Sequence, residues 1–130
     1  MVAELKKLGY AALDLGPADS TSVDYPDYAV KVTAAVANGT AGLGVLICGT
    51  GIGMSITANK VPGIRAALCR TEFEARMARA HNDANVLCLG QRVTGSGLAL
   101  EIVKAFLATP FEGGRHAGRV EKIRQVEAKR

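Results

Sequence analysis

An α/β fold built on a parallel sheet is what this sequence predicts, and three observations predict it. Short apolar runs of strand length recur at residues 10–15, 43–47, 64–69 and 86–89. Segments of helical periodicity separate them, which is the pattern of parallel strands joined by crossover helices. Glycine, at fifteen of 130 residues, clusters at the ends of the candidate strands. One domain is expected over 1–130, long enough to bury a core of its own.

The elements follow in order. Val2 to Leu8 reads as the last turns of an amphipathic helix, stopped by Gly9 as a C-cap. It begins in the middle of its pattern, without a cap or a preceding strand. Tyr10 to Leu15 is a short strand ending at Gly16-Pro17, and 17–24 is a polar loop. Pro26 suits the first turn of a helix with Asp24 as its cap, running through Tyr28, Val32, Ala35 and Val36 to Asn38-Gly39. Leu43, Val45, Leu46 and Ile47 form a buried strand, followed by Cys48 and then glycines at 49, 51 and 53. Met54 to Lys60 continues as a short helix. After the turn Pro62-Gly63, Ile64 to Cys69 is a strand, and Thr71 caps a helix with Glu74 at capping-box spacing. His81-Asn82-Asp83-Ala84-Asn85 interrupts that helix. Val86 to Leu89 is a strand closed by Gly90, and Leu98 to Leu107 a helix on the 3.6 period ended by Thr109-Pro110. Gly113-Gly114 is a hinge, and 114–130 is a basic C-terminal tail helix.

Composition narrows the function. Apolar residues make up 48% and charged residues 22%, as in ordinary globular chains. No 18-residue apolar run and no N-terminal apolar core are present, so neither a membrane span nor secretion is expected. Cys48, Cys69 and Cys88 lie in separate apolar stretches without metal-ligand spacing. A reducing, cytoplasmic setting without disulfides or a zinc site is expected. The net charge of +4 resides in residues 115–130, where six basic residues face two acidic ones. Such a tail can attract nucleic acid or hold one small phosphate. With 5% aromatic residues, and none interleaved in the tail, nucleic acid is the poorer fit.

The stretch around Cys48 carries the chemistry. Strand, glycine loop and helix start together aim backbone N–H groups at an anion. A thiol at such a strand end can act as base or nucleophile, although position alone fits a buried core cysteine equally well. Gly49-Thr50-Gly51-Ile52-Gly53 is not a Walker loop, because no Lys-Ser/Thr closes it. It suits a compact anion such as an enediolate oxygen better than a pyrophosphate. His81 and Asn82, in a polar cluster just before a buried strand, need partners. Arg115 and Arg119, four apart, share a helix face suited to phosphate, with Arg92 as a third candidate.

These residues resemble a known family. Cys48 to Ile56, Ala58-Asn59-Lys60, Gly63-Ile64-Arg65-Ala66, His81 to Leu87, and Glu112-Gly113-Gly114-Arg115-His116-x-x-Arg119-Val120 look like type B ribose-5-phosphate isomerase. That family also contains allose-6-phosphate and galactose-6-phosphate isomerases. The resemblance covers nearly the whole chain. It implies a three-layer α/β/α Rossmann-like parallel sheet, and a homodimer or a dimer of dimers. It also implies a cytoplasmic enzyme of the pentose phosphate pathway, using neither metal nor other cofactor.

The activity implied is aldose–ketose interconversion of ribose 5-phosphate and ribulose 5-phosphate through an enediolate. Allose-6-phosphate or galactose-6-phosphate isomerisation stands as the alternative, as does a non-catalytic partner subunit of such an enzyme. On the resemblance, Cys48 is the base that moves the proton between C1 and C2. The backbone N–H groups of Gly49, Gly51, Ile52 and Gly53 form the anion hole. Thr50 and His81 assist ring opening. Tyr25 and Asn82 contact the sugar. Arg92, Arg115 and Arg119 hold the phosphate, some of them from a neighbouring subunit.

One departure accompanies the resemblance. The family normally begins with a strand ending in an Asp-His pair, and here Met1 falls inside the helix that follows it. The family's first strand is therefore expected to be missing, as in a fragment or a mis-assigned start.

Overall fold

The computed structural model describes residues 1–129 and has the expected layered α/β architecture. Its elements are α1 (Val2–Lys7), α2 (Tyr25–Ala37), β1 (Gly44–Cys48), α3 (Ile52–Ala58), β2 (Ala66–Leu68), α4 (Glu72–Asn82), β3 (Val86–Gly90), α5 (Ser96–Ala108) and α6 (Arg115–Ala128). The strands form a parallel sheet in the order β1-β3-β2. Gly44 pairs with Val86 at one end and Cys48 with Gly90 at the other.

The central strand is buried along its whole length, as its unbroken apolar run requires. Successive side chains of a strand point to opposite faces, and two cores result. Leu87 and Leu89 meet α1, α4 and α5 through Leu5, Ala75, Ala78, Ile102, Val103 and Phe106. Val86 and Cys88 meet α2 and α3 through Ala29, Met54 and Ala58, together with Leu46 of β1. The helix α2 crosses β1 closely because residue 44 is glycine. A Cβ there would stand 2.8 Å from Val32 Cγ1. The helix α6 lies outside these layers and packs on α4. No helix among the described residues is long and apolar enough to cross a membrane.

Three expectations need correction. Residues 10–15 form no strand. They run past β1 and line, together with it and α2, a cavity of about 610 Å³. They make no ladder with β1, which is an edge strand among the described residues. The expected break at His81 is also misplaced. The helix α4 continues through His81 to Asn82 and ends where Asp83 turns left-handed at φ 47°. Asp83 is held there by Arg79 at 3.2 Å and Arg65 at 3.4 Å. The strand expected over 64–69 is shorter, at 66–68. Its outer edge is closed by Asn59, whose side chain exchanges two hydrogen bonds with the Ala66 backbone at 2.8 and 3.0 Å.

Thr71 caps α4 as expected, accepting from the Glu74 N–H at 3.0 Å. The Glu74 carboxylate reaches the Arg70 N–H, one residue earlier than a capping box would place it.

Phe106 is fully buried between α5 and the sheet. Phe106→Ala should destabilise the chain by about 3–5 kcal/mol, measured by denaturant unfolding. A loss below 1 kcal/mol would show that this core does not depend on it.

Candidate active site

The carboxyl end of β1 runs into a turn that only glycine permits at two points. Gly51 has φ +80°, and a Cβ on it would press on Leu68 and the Leu89 backbone. Gly90, at the end of β3, lies against the Thr50 backbone with no room for a side chain. The Gly49–Gly51 turn therefore crosses directly over the end of the central strand. The Gln91 N–H donates to Cys48 O at 2.8 Å, and the Arg92 N–H to Gly49 O at 3.0 Å.

This crossing positions the thiol. Cys48 is half-buried, and its Sγ accepts the Gly51 N–H at 3.2 Å. Thr50 Oγ1 accepts the Ile52 N–H at 3.3 Å. The Arg92 side chain passes alongside Gly49. Tyr25, first residue of α2, lays its hydroxyl against Gly53 in the first turn of α3, and a Cβ on Gly53 would run into it. Cys48, Gly49, Thr50, Gly51, Ile52, Gly53, Tyr25 and Arg92 therefore form one cluster. Cys69 and Cys88 are buried, and desolvation pushes both thiols up to about 12. Neither is a usable nucleophile near neutral pH.

His81, Asn82, Arg115 and Arg119 lie elsewhere. The helix α4 starts after the carboxyl end of β2 and runs back to the amino end of β3. Asn82 and Asp83 therefore sit beside Arg65, which precedes β2; its Nε donates to their carbonyls at 3.2 and 3.0 Å. Cys48 closes the carboxyl end of β1, whereas His81 lies in the last turn of α4, toward the amino end of β3; the strands between those ends span roughly 13 Å. One chain does not bring the two groups together.

The second group has an internal order of its own. The His81 and His116 rings stack at 4.1 Å with 10° between their planes. His81 Nε2 lies 3.6 Å from Glu112 Oε2. His116 is held below the usual histidine range, chiefly by burial, then by His81 and Arg115, with Glu112 opposing. Arg115 and Arg119 are exposed on α6 nearby. His116 and Glu112 lie in the family motif at 112–120, His116 beside the phosphate arginines, but the sequence assigns neither of them a role. The available signal is that His116 and Val120, four apart, are the buried positions of α6. A histidine on an apolar stripe calls for a partner.

Metal-ligating types gather here too, with the ligand atoms of His81, Glu112 and His116 all within 4.8 Å of one another. The two rings are nearly parallel, however, so their in-plane lone pairs do not converge on one point as a metal requires.

The profile of the Ribose/Galactose Isomerase family matches residues 1–123. This chain belongs to that family. It is 49% identical over 130 residues to ribose-5-phosphate isomerase B of Escherichia coli, covering all of this chain and 87% of the relative. A solved ribose-5-phosphate isomerase B from Clostridium thermocellum superposes with a TM-score of 0.96 at 56% identity, covering 98% of this chain and 86% of the other. The Mycoplasma genitalium enzyme, solved with bound ribulose 5-phosphate, superposes at 0.93 with 43% identity over 99% of this chain and 86% of that one. The layered α/β fold is thus the fold of this ribose/galactose isomerase family.

Two outcomes test the geometry. Cys48 should react with a thiol reagent in the native protein, while Cys69 and Cys88 react only on unfolding, as mass spectrometry of the labelled chain would show. Gly51→Ala should destabilise by about 1–3 kcal/mol through overpacking against Leu68 and Leu89, read as a lowered denaturant midpoint.

Proposed function

We propose that this member of the ribose/galactose isomerase family interconverts ribose 5-phosphate and ribulose 5-phosphate, with Cys48 as the base. The observation that carries the reading is the Cys48 sulfur at a strand end, facing the Gly51 N–H at 3.2 Å. A sulfur anion strengthens such a contact. The base takes the proton from C2 of the open aldose and returns it to C1, while the hydroxyl proton of O2 passes to O1. Between these steps the enediolate oxygen lies on the N–H groups of Gly49, Gly51, Ile52 and Gly53. Donors of this kind are worth about 100–1000-fold in rate each.

The remaining roles are assigned with it. His81, with Thr50, opens the furanose, and Tyr25 and Asn82 contact the sugar. Arg92, Arg115 and Arg119 hold the phosphate. We take 1–130 as one isomerase domain with a basic tail at 114–130, of which α6 covers Arg115–Ala128 and Arg130 lies outside the described residues, acting in the cytoplasm in the pentose phosphate pathway. The separation of Cys48 from His81 supports a homodimer. A second copy, related by a two-fold axis, would bring its His81 and tail arginines to the first copy's Cys48, and the reverse.

Cys48→Ala and His81→Asn should each lower kcat by about 100–10,000-fold. If the two residues act across an interface, co-refolding the two variants restores activity. Half the dimers are mixed and each has one intact site, so roughly a quarter of wild-type turnover returns. A mixture as inactive as its components would place both residues of a site on one chain. Full activity in Cys48→Ala would move the base elsewhere.

A further inference from the structure

The family chemistry assigns His81 a proton to move, and the structure surrounds that ring with two groups that have no task in that account. Glu112 is pinned beside it: its N–H donates to Ala80 O at 3.0 Å, tying the loop to the last turn of α4. Two consecutive left-handed glycines follow, Gly113 at φ 69° and Gly114 at φ 53°. They turn the chain so that residue 116 comes back over the same imidazole. The His116 N–H then donates to Gly113 O at 3.0 Å, and the His116 ring is buried under His81. His81 thus meets a carboxylate at 3.6 Å at its Nε2 edge and a second imidazole across its face. An apolar side chain would fill position 116 at lower desolvation cost. The stack makes sense if it does something for His81.

We propose that Glu112 and His116 are positioning residues for His81: the stack fixes the plane of its ring, the carboxylate keeps its proton in place, and the three side chains exchange one proton as a unit. Two imidazolium rings 4.1 Å apart would repel, so the cluster holds one proton rather than two. Burial and the flanking Arg115 and Arg119 disfavour that proton on His116, whereas Glu112 stands against His81. Asp83, the acid that follows α4, is engaged by Arg65 and Arg79. Glu112 is therefore the anion facing the pair.

The catalytic consequence rests on the isomerase reading above. In ring opening the C1–O4 bond breaks. Its electron pair stays on O4, which takes the proton from His81. The O1 hydroxyl proton leaves as the C1 carbonyl forms, and returns to the imidazole through solvent. A ring held flat by His116 and loaded by Glu112 is ready to give that proton in each turnover.

The chain has two histidines, so NMR titration of their ring protons can be assigned by single substitutions. In His81→Asn the His116 signal should titrate at higher pH than in the wild type, and in Glu112→Gln at lower pH. Superimposable His116 curves in all three proteins would overturn the coupled unit, whatever the enzyme's substrate. The kinetic arm uses two substrates: ribose 5-phosphate, which must open its ring, and an aldotetrose 4-phosphate, which has no free hydroxyl to close a furanose. Glu112→Gln should slow ribose 5-phosphate by about tenfold, part of what general acid catalysis contributes. It should shift the acid limb of the kcat/KM profile, and slow the tetrose phosphate far less. Glu112→Asp should recover part of the loss. Equal slowing of both substrates, or of neither, would overturn the positioning role. A wild type that turns over neither substrate would overturn the isomerase reading, while the NMR arm still decides the proton unit. Glu112 is exposed and outside both cores, so its variants keep the test open even if His116→Phe fails to fold.

Discussion

The close crossing of the Gly49–Gly51 turn over the end of β3 is the contact on which the rest of the site depends. It exists because Gly90 and Gly51 have no side chains where Thr50, Leu68 and Leu89 press against them. With the turn that close, the Gly51 N–H faces the Cys48 sulfur, and α3 starts where Tyr25 covers Gly53. The parallel register of β1 with β3 supplies the platform by setting Cys48 opposite Gly90. A slip of one residue would turn Cys48 to the other face of the sheet.

The same platform sorts the three cysteines. Cys69 and Cys88 sit within the cores, where loss of water holds their thiols protonated. Cys48 ends its strand and leaves the core at the turn, half-exposed and facing a donor. Their chemical difference follows from where the strands stop, since all three occupy similar apolar contexts along the chain.

Parallel connectivity has a second consequence. Each crossover helix carries the chain from the carboxyl end of one strand to the amino end of the next. Residues at the end of α4 are thereby delivered to the amino end of the strands, opposite the end that carries Cys48. A histidine and asparagine there lie away from the cysteine at the other end of the same chain. The double-glycine turn before α6 adds the tail to that far end, stacking His116 on His81 and leaving Arg115 and Arg119 outward.

By itself the sequence determined the layered parallel fold, the glycine turn after Cys48, the Thr71 cap and the basic final helix, because each rests on local periodicity, glycine placement or charge. It also carried the family, through motifs spread along nearly the whole chain. Tertiary structure alone decided the rest. Residues 10–15 have the pattern of a strand but form no ladder, and a ladder is a property of two segments. The helix α4 runs on to Asn82 and ends at Asp83, whose left-handed turn is held by Arg79 one turn back and by Arg65, distant in sequence. The stack of His116 on His81 and the separation of Cys48 from His81 come from how helices fold back across the sheet. Such long-range placement leaves no mark in local sequence.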